Sequence, residues 1–369
     1  MPKNLACGGK PQSSKGGKQS KKNDKDQSAS SSSGPKEQLW MYAVVGNSEG
    51  GGPEVLHVQR VPRPVPKANE VLVKVCYAAV NGPDVVERKR GMLSPQIKKL
   101  EEAGIKSKYL GLECSGTICA YGEGISEKDQ QTWKIDTKVC AIVFGGAYAE
   151  YVAVPIGHLL RFSSSISVEK AAAIPQAACT VWSELFMTER VDKSTVKEEE
   201  GSRLSPGETI LIHGGCNGIG IFAIQMAKKL GATVYATAGT DAKVKKCEEL
   251  IKADHSCINY KKKDFVKEIK GDMTKGQGVD VILDCVGLKY FDKNLECLKE
   301  VASLVYRTPD MKDAIVKEVQ ENVIPAIEDG QVEVVIHKVF TFKQAAKAHK
   351  LKESGNHIGK ILLKPGTLP

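Results

Sequence analysis

The segment 209–220 constrains this chain more than any other. Thr209-Ile-Leu-Ile-His213 reads as a buried strand, and Gly214-Gly-Cys-Asn-Gly-Ile-Gly220 follows it at once. An apolar helical stretch runs from Ile221 to Leu230, and a second strand, Thr233-Val-Tyr-Ala-Thr237, begins 13 residues after Gly220. Glycine spacing alone is a weak signal. With a strand before it, a helix after it and a second strand beyond, it indicates a dinucleotide-binding βαβ unit. Glycine dihedrals make the tight turn, and the missing side chains let the backbone approach a pyrophosphate. The helix N-terminus adds unpaired N–H groups and a positive dipole end. Gly215, Gly218, Ile219 and Gly220 are therefore candidate cofactor-binding residues. The plain alternative is a tight strand–helix turn without a ligand.

Further strands, Ser256 to Tyr260 and Val279 to Asp284, alternate with helices from Asp241 onward. That alternation indicates a parallel sheet. The end of the second strand bears on cofactor type. NAD sites place an acid there, about 20 residues beyond the first turn, to hold ribose hydroxyls. This chain has Ala238, Gly239 and Thr240, with Lys243 one turn into the next helix and Tyr260 closing the third strand. A hydroxyl, a cation and a phenol suit a 2′-phosphate, so the expected cofactor is NADP(H). A charge-assisted hydrogen bond contributes about 1.5–3 kcal/mol, roughly 10–100-fold in affinity. Asp241 is the competing feature, since it could hold a ribose. Lys243 could otherwise be a solvated helix residue.

Residues 41–165 read differently. Met41 to Val45, Glu70 to Val75, Cys114 to Tyr121 and Lys138 to Phe144 are short strands among proline and glycine signals. Residues 168–190 read as helical, and Val191 to Arg203 as a polar surface insertion. The chain has 369 residues, enough for two domains. Its net charge is +9, but residues 1–38 hold eight lysines against three acids and so carry +5 of it. That Lys/Ser/Gly-rich leader has little to bury and is expected to be disordered. The basic balance is a tail property, and nucleic-acid binding is not expected. No run of 18 apolar residues marks a membrane span, and the start lacks a signal-peptide core. Eleven cysteines without CxxC pairs fit neither a disulfide framework nor a zinc ribbon. They suit a reducing, cytoplasmic setting.

Together Gly111-Leu-Glu-Cys-Ser-Gly116, Gly145-Gly-Ala-Tyr-Ala-Glu-Tyr151, Ala171-Ala-Ala-Ile-Pro175, His213 to Gly220, Val279 to Gly287 and His357-Ile-Gly-Lys360 make a specific set. From Met41 to about Lys364 the chain resembles the zinc-free quinone oxidoreductases of the medium-chain dehydrogenase/reductase superfamily, the zeta-crystallin-like group, especially its plant members. Asn81 and Leu112 stand where zinc-dependent relatives carry a Cys and a His, and neither is a good zinc ligand. No metal site is expected, and His213 is expected to be a packed residue.

The resemblance implies an α/β fold of two lobes: a GroES-like distorted β-barrel catalytic lobe (39–165 and 331–369) and a Rossmann lobe (166–330). It implies hydride transfer from NADPH to a quinone, or alternatively to a conjugated alkenal or enone, and a homo-oligomer. It makes Asn81 the catalytic candidate, with a side-chain amide that polarises a carbonyl oxygen. Thr180 matches a cofactor-contacting threonine before the helix around Trp182. Val286 matches the loop flanking the cofactor ribose, and Lys360 a lysine near the cleft. Tyr148 and Tyr151 are expected to pack the barrel. Two departures stand out. The loop Gly91-Met-Leu-Ser-Pro95 lacks an aromatic residue that family members often carry, and about one strand and a nicotinamide-contacting loop are missing after Leu298. The second departure raises the alternative of a catalytically impaired dinucleotide-binding protein.

Overall fold

The computed structural model describes residues 38–91, 109–187, 204–253, 255–299 and 309–366. Outside the described residues lie the expected leader apart from Gln38, the loop beyond Gly91, the insertion at 191–203 and the stretch 300–308.

Seven strands build the first half. β1 (Trp40–Val45) and β2 (His57–Pro62) form an antiparallel ribbon. β3 (Glu70–Val80) pairs antiparallel with β4 (Glu113–Tyr121), and β4 pairs in turn with β5 (Lys138–Ile142). β6 (Tyr151–Pro155) also pairs with β3, and β7 (Leu159–Leu160) with β5. Val71, Val73 and Val75 on β3 are buried with Ile118, Val139 and Val154 in the core of this lobe. Such β-branched side chains suit a pleated, buried surface. The stretch expected to be helical over 168–190 divides into Val168–Ala171 and Pro175–Leu185. Pro175 has no N–H to give inside a helix, so it starts the second one at its first position.

The second half is a parallel sheet of β8 (Thr209–Ile212), β9 (Thr233–Ala238), β10 (Cys257–Asn259) and β11 (Val281–Leu283), in the order β10-β9-β8-β11. The helix Gly218–Leu230 is buried from Gly220 to Ala227, and Gly231 ends it at φ 93°. Beside β11, at the point after which a strand is expected to be missing, Leu298 makes a parallel bridge to Val279, and Lys299 N–H donates to Val279 O at 2.9 Å. Among the described residues, no further strand pairs with β11.

The chain then returns to the first sheet. β12 (Ile336–Thr341) pairs parallel with β13 (Lys360–Lys364), and β13 pairs antiparallel with β3, with Ile361 opposite Val80. Ala79, Cys140, Leu160 and Leu362 of this sheet share one core cluster with Ile212 and Ala236 of the parallel sheet and Phe222 of the helix Gly218–Leu230. The two lobes therefore meet through a dry apolar contact, and their junction is held in register for the polar groups beside it.

Candidate functional site

The strand order places β8 and β11 side by side, with β9 and β10 beyond β8. Chain direction changes sides there, and in open parallel sheets ligands bind outside the carboxyl ends of the strands at that point. The turn after β8 (214–217) and the turn after β11, at Cys285, lie together: Asn217 Nδ2 donates to Cys285 Sγ at 3.4 Å, and Cys285 Sγ donates to His213 O at 3.2 Å. Gly214 has φ +67°, and a Cβ on Gly220 would fall 2.4 Å from Gly214 O. These glycines are required by the turn itself. His213 is packed as expected, with Nδ1 3.0 Å from Thr237 Oγ1 and Nε2 2.8 Å from Asn294 Oδ1.

The other lobe closes onto this turn. Gly359 N–H donates to Cys216 O, Asn217 makes a parallel bridge with Gly359, and the stem of Lys360 lies over Gly218. The Lys360 ammonium enters a buried node. It donates to Glu113 Oε1 at 2.5 Å and to Asn81 Oδ1 at 2.6 Å. Asn81 Nδ2 donates to the same Glu113 Oε1 at 3.0 Å, and Gln176 N–H donates to Glu113 Oε2 at 2.8 Å. Lys360 is 3% exposed and Glu113 0%. Asn81 also caps the helix Gly82–Arg90 in a reciprocal box with Asp84. Asp84 accepts from the backbone N–H groups of Asn81 and Gly111, and burial pushes its carboxyl up to about 7.

One expectation changes here, and another meets a constraint. The Asn81 amide, expected to polarise a carbonyl oxygen, already donates to Glu113 and accepts from Lys360. Thr180 does not precede a helix but lies inside Pro175–Leu185, where its Oγ1 accepts from Gln176 Nε2 at 3.3 Å. Lys360, by contrast, is a buried charge rather than a surface one. Tyr148 is fully buried, and Tyr151 stacks under Arg63 at 3.8 Å.

The far end of the cleft is open and cationic. The Tyr260 ring is 41% exposed, and its hydroxyl lies 2.8 Å from where a Cβ on Gly239 would stand. Thr240 caps the helix Asp241–Ile251 by accepting from Lys243 N–H. Asp241 is engaged by Lys262 and Asn259, and these contacts hold its carboxyl below the usual range. Lys243 Nζ donates across the cleft to Gly355 O. Val286 is exposed beside the β11 turn, with its N–H donating to Asp284 Oδ1. The structure thus brings Gly215, Gly218, Ile219 and Gly220 to one lip, with Lys360 over Gly218, and Gly239, Thr240, Lys243 and Tyr260 to the rim beyond β9.

Three residues carry the site that their sequence context does not single out. Glu113 is a carboxylate inside a strand, Asn217 caps the glycine turn, and Lys352 enters from the helix Ala345–Ser354. Lys352 Nζ donates to His357 Nε2 at 3.3 Å, and burial, with Lys360 nearby, pushes its ammonium down to about 8. Burial and the cations Lys352 and Lys243 push His357 down to about 4. A polyanion fits this donor set, because Lys352 stands near Lys360 and Cys285, and both Lys352 and Lys243 stand near His357. The described residues hold no group of three His, Cys, Asp or Glu placed to bind a metal ion. None of their helices is long and apolar enough to cross a membrane.

Comparison with known proteins agrees with this architecture. Residues 67–164 match the alcohol dehydrogenase GroES-like domain. Residues 218–315 and 303–363 match two zinc-binding dehydrogenase families. A phenolphthiocerol/phthiocerol polyketide synthase of Mycobacterium tuberculosis is 26% identical over 340 residues, which are 84% of this chain but 14% of that much longer protein. A quinone oxidoreductase from Coxiella burnetii superposes with a TM-score of 0.70 at 25% identity, covering 89% of this chain and 100% of that one. The Escherichia coli quinone oxidoreductase complexed with NADPH has the same fold, with a TM-score of 0.70 at 23% identity, covering 88% of this chain and 100% of that one. The chain belongs to the medium-chain dehydrogenase/reductase superfamily and is quinone-oxidoreductase-like, with Asn and Leu at positions 81 and 112.

Proposed function

We propose that the chain binds NADP(H) in the cleft between its lobes and reduces a quinone without a metal. The observation that carries this reading is the glycine turn at the carboxyl edge of the parallel sheet, closed from the other lobe by Lys360. Reduced nicotinamide supplies the hydride when the cofactor is bound, and this chain's residues bind, orient and exclude water. Gly215, Gly218, Ile219 and Gly220 would hold the pyrophosphate. Thr240, Lys243 and Tyr260, with the room left by Gly239, would hold the 2′-phosphate. Val286 would flank the ribose. The node of Asn81, Glu113 and Lys360 would form the dry floor beneath the nicotinamide, and Thr180 would line the approach from its helix. The Escherichia coli relative bound to NADPH supports the cofactor assignment.

A cytoplasmic location belongs to the same reading, and the ten described cysteines, all free thiols, support it. So does self-association, since Leu288 is 93% exposed beside Phe291 and Leu295 near the outer strand β11. The test is NADPH oxidation by the purified chain with matched ortho-quinones and enones, alongside NADPH titration. Quinone-dependent oxidation is expected. Oxidation with enones alone would replace the substrate class. Tight NADPH binding without any oxidation would reduce the function to dinucleotide binding.

A further inference from the structure

The dinucleotide fingerprint asks for three glycines, at positions one, three and six of the turn. The first makes the turn, the second lets the backbone approach the pyrophosphate, and the third lets helix and strand pack closely. Here the first and third fall on Gly215 and Gly220, and the second falls on Asn217. The backbone does not require that asparagine, since φ −81° and ψ 172° are ordinary extended values. Its side chain is engaged at both ends. Oδ1 accepts from Ile219 N–H at 2.9 Å and from Gly220 N–H at 2.8 Å, while Nδ2 donates to Cys285 Sγ. Ile219 and Gly220 carry two of the N–H groups that a helix leaves without intrahelical partners and that an anion at this end would take.

We infer that the Asn217 side chain occupies the pyrophosphate position in the free chain and must swing out before a dinucleotide can bind. The inference rests on the dinucleotide reading above and adds a determinant of affinity to it. Asn217 Oδ1 stands in for a phosphate oxygen: an acceptor on the helix axis, bonded to the same amides. The free helix is therefore already capped, and the cleft's affinity is the difference between two competing acceptors. Cys285 acts as a positioning residue, because its sulfur accepts from Nδ2 and so keeps Oδ1 turned toward the helix.

Two substitutions separate this from an ordinary cap. Asn217→Gly removes the competitor and restores the fingerprint, and glycine in place of a capping asparagine costs the helix little. Asn217→Asp caps as well as asparagine, but sets a negative charge against the pyrophosphate. Equilibrium NADPH titration followed by intrinsic fluorescence, with thermal unfolding of the free chains, reads both. Asn217→Gly should bind NADPH about tenfold tighter than wild type, the scale of one or two hydrogen bonds. Asn217→Asp should bind at least about tenfold more weakly with an unchanged unfolding midpoint. Wild-type binding with no tightening in Asn217→Gly overturns the inference and leaves the dinucleotide reading intact. No NADPH binding by either wild type or a folded Asn217→Gly overturns both.

Discussion

The two ends of the cleft handle charge in opposite ways. At the lobe junction, Lys360 and Glu113 are paired out of water, and every acceptor of the node has a protein donor. At the rim beyond β9, Lys262 and Asp241 pair in solvent, with side chains 63% and 69% exposed. A pair of the second kind contributes about 0–1 kcal/mol. A buried pair is weak evidence for net stability, because desolvation offsets attraction, yet breaking it on one side leaves a bare charge. The junction is therefore built to fix a geometry, and the rim to meet a charged ligand.

The most severe test of that contrast is Lys360→Ala. It strands Glu113, fully buried, with Asn81 Nδ2 and Gln176 N–H as its remaining donors. Stability should fall by about 3–5 kcal/mol, measured by urea unfolding. Lys360→Met with Glu113→Gln removes both charges and should recover most of the loss. If Lys360→Ala unfolds like wild type, the node is not the fixed element described here.

Acid stability sharpens the dry side further. His349 is fully buried against Tyr148, at 5.9 Å between rings, and neither ring nitrogen has a hydrogen-bond partner among the described residues. Burial and the neighbouring Arg88 push it down to about 4 from the usual 6.5. Between those values the unfolded chain binds a proton that the folded chain refuses. The neutral ring's contribution is complete above about 6.5 and is lost as pH falls toward 4, with a slope of at most about 1.4 kcal/mol per pH unit. Asp84, raised to about 7, has the opposite slope in the same window, because its folded form holds a proton that the unfolded form releases. The measurement is thus the difference in urea stability between wild type and His349→Leu from pH 4 to 7. A difference that does not vary with pH would show that this histidine titrates alike in both states.

The same contrast explains what was legible before the fold was known. The glycine turn could be read because its residue types, the strand before it and the helix after it are all local. Fold class followed from the alternation of strands and helices after Pro206. The node was opaque for the opposite reason. Glu113 sits in a strand as one acid among apolar residues, and its partner Lys360 is 247 residues away. Nothing local marks Asn81 as the residue between them. Lys352 lies in Lys350-Leu-Lys-Glu353, which has the look of a solvated helix face. Only the return of β13 to β3 brings that helix over the cleft.

The rim offers the smallest effect and the finest discrimination. Lys243 is the rim cation assigned to the 2′-phosphate, and its ammonium already donates to Gly355 O across the cleft. A phosphate therefore exchanges a neutral acceptor for a charged one and does not capture a free cation. The net gain lies at the low end of a charge-assisted hydrogen bond. Lys243→Ala should weaken NADPH binding about tenfold and leave NADH binding and the unfolding midpoint unchanged, as titration with both cofactors and thermal unfolding would read. Equal losses for the two cofactors would take Lys243 away from the 2′-phosphate. A lowered midpoint would mean that its bond to Gly355 is a strut between the lobes, and the rim would then share the fixed character of the junction.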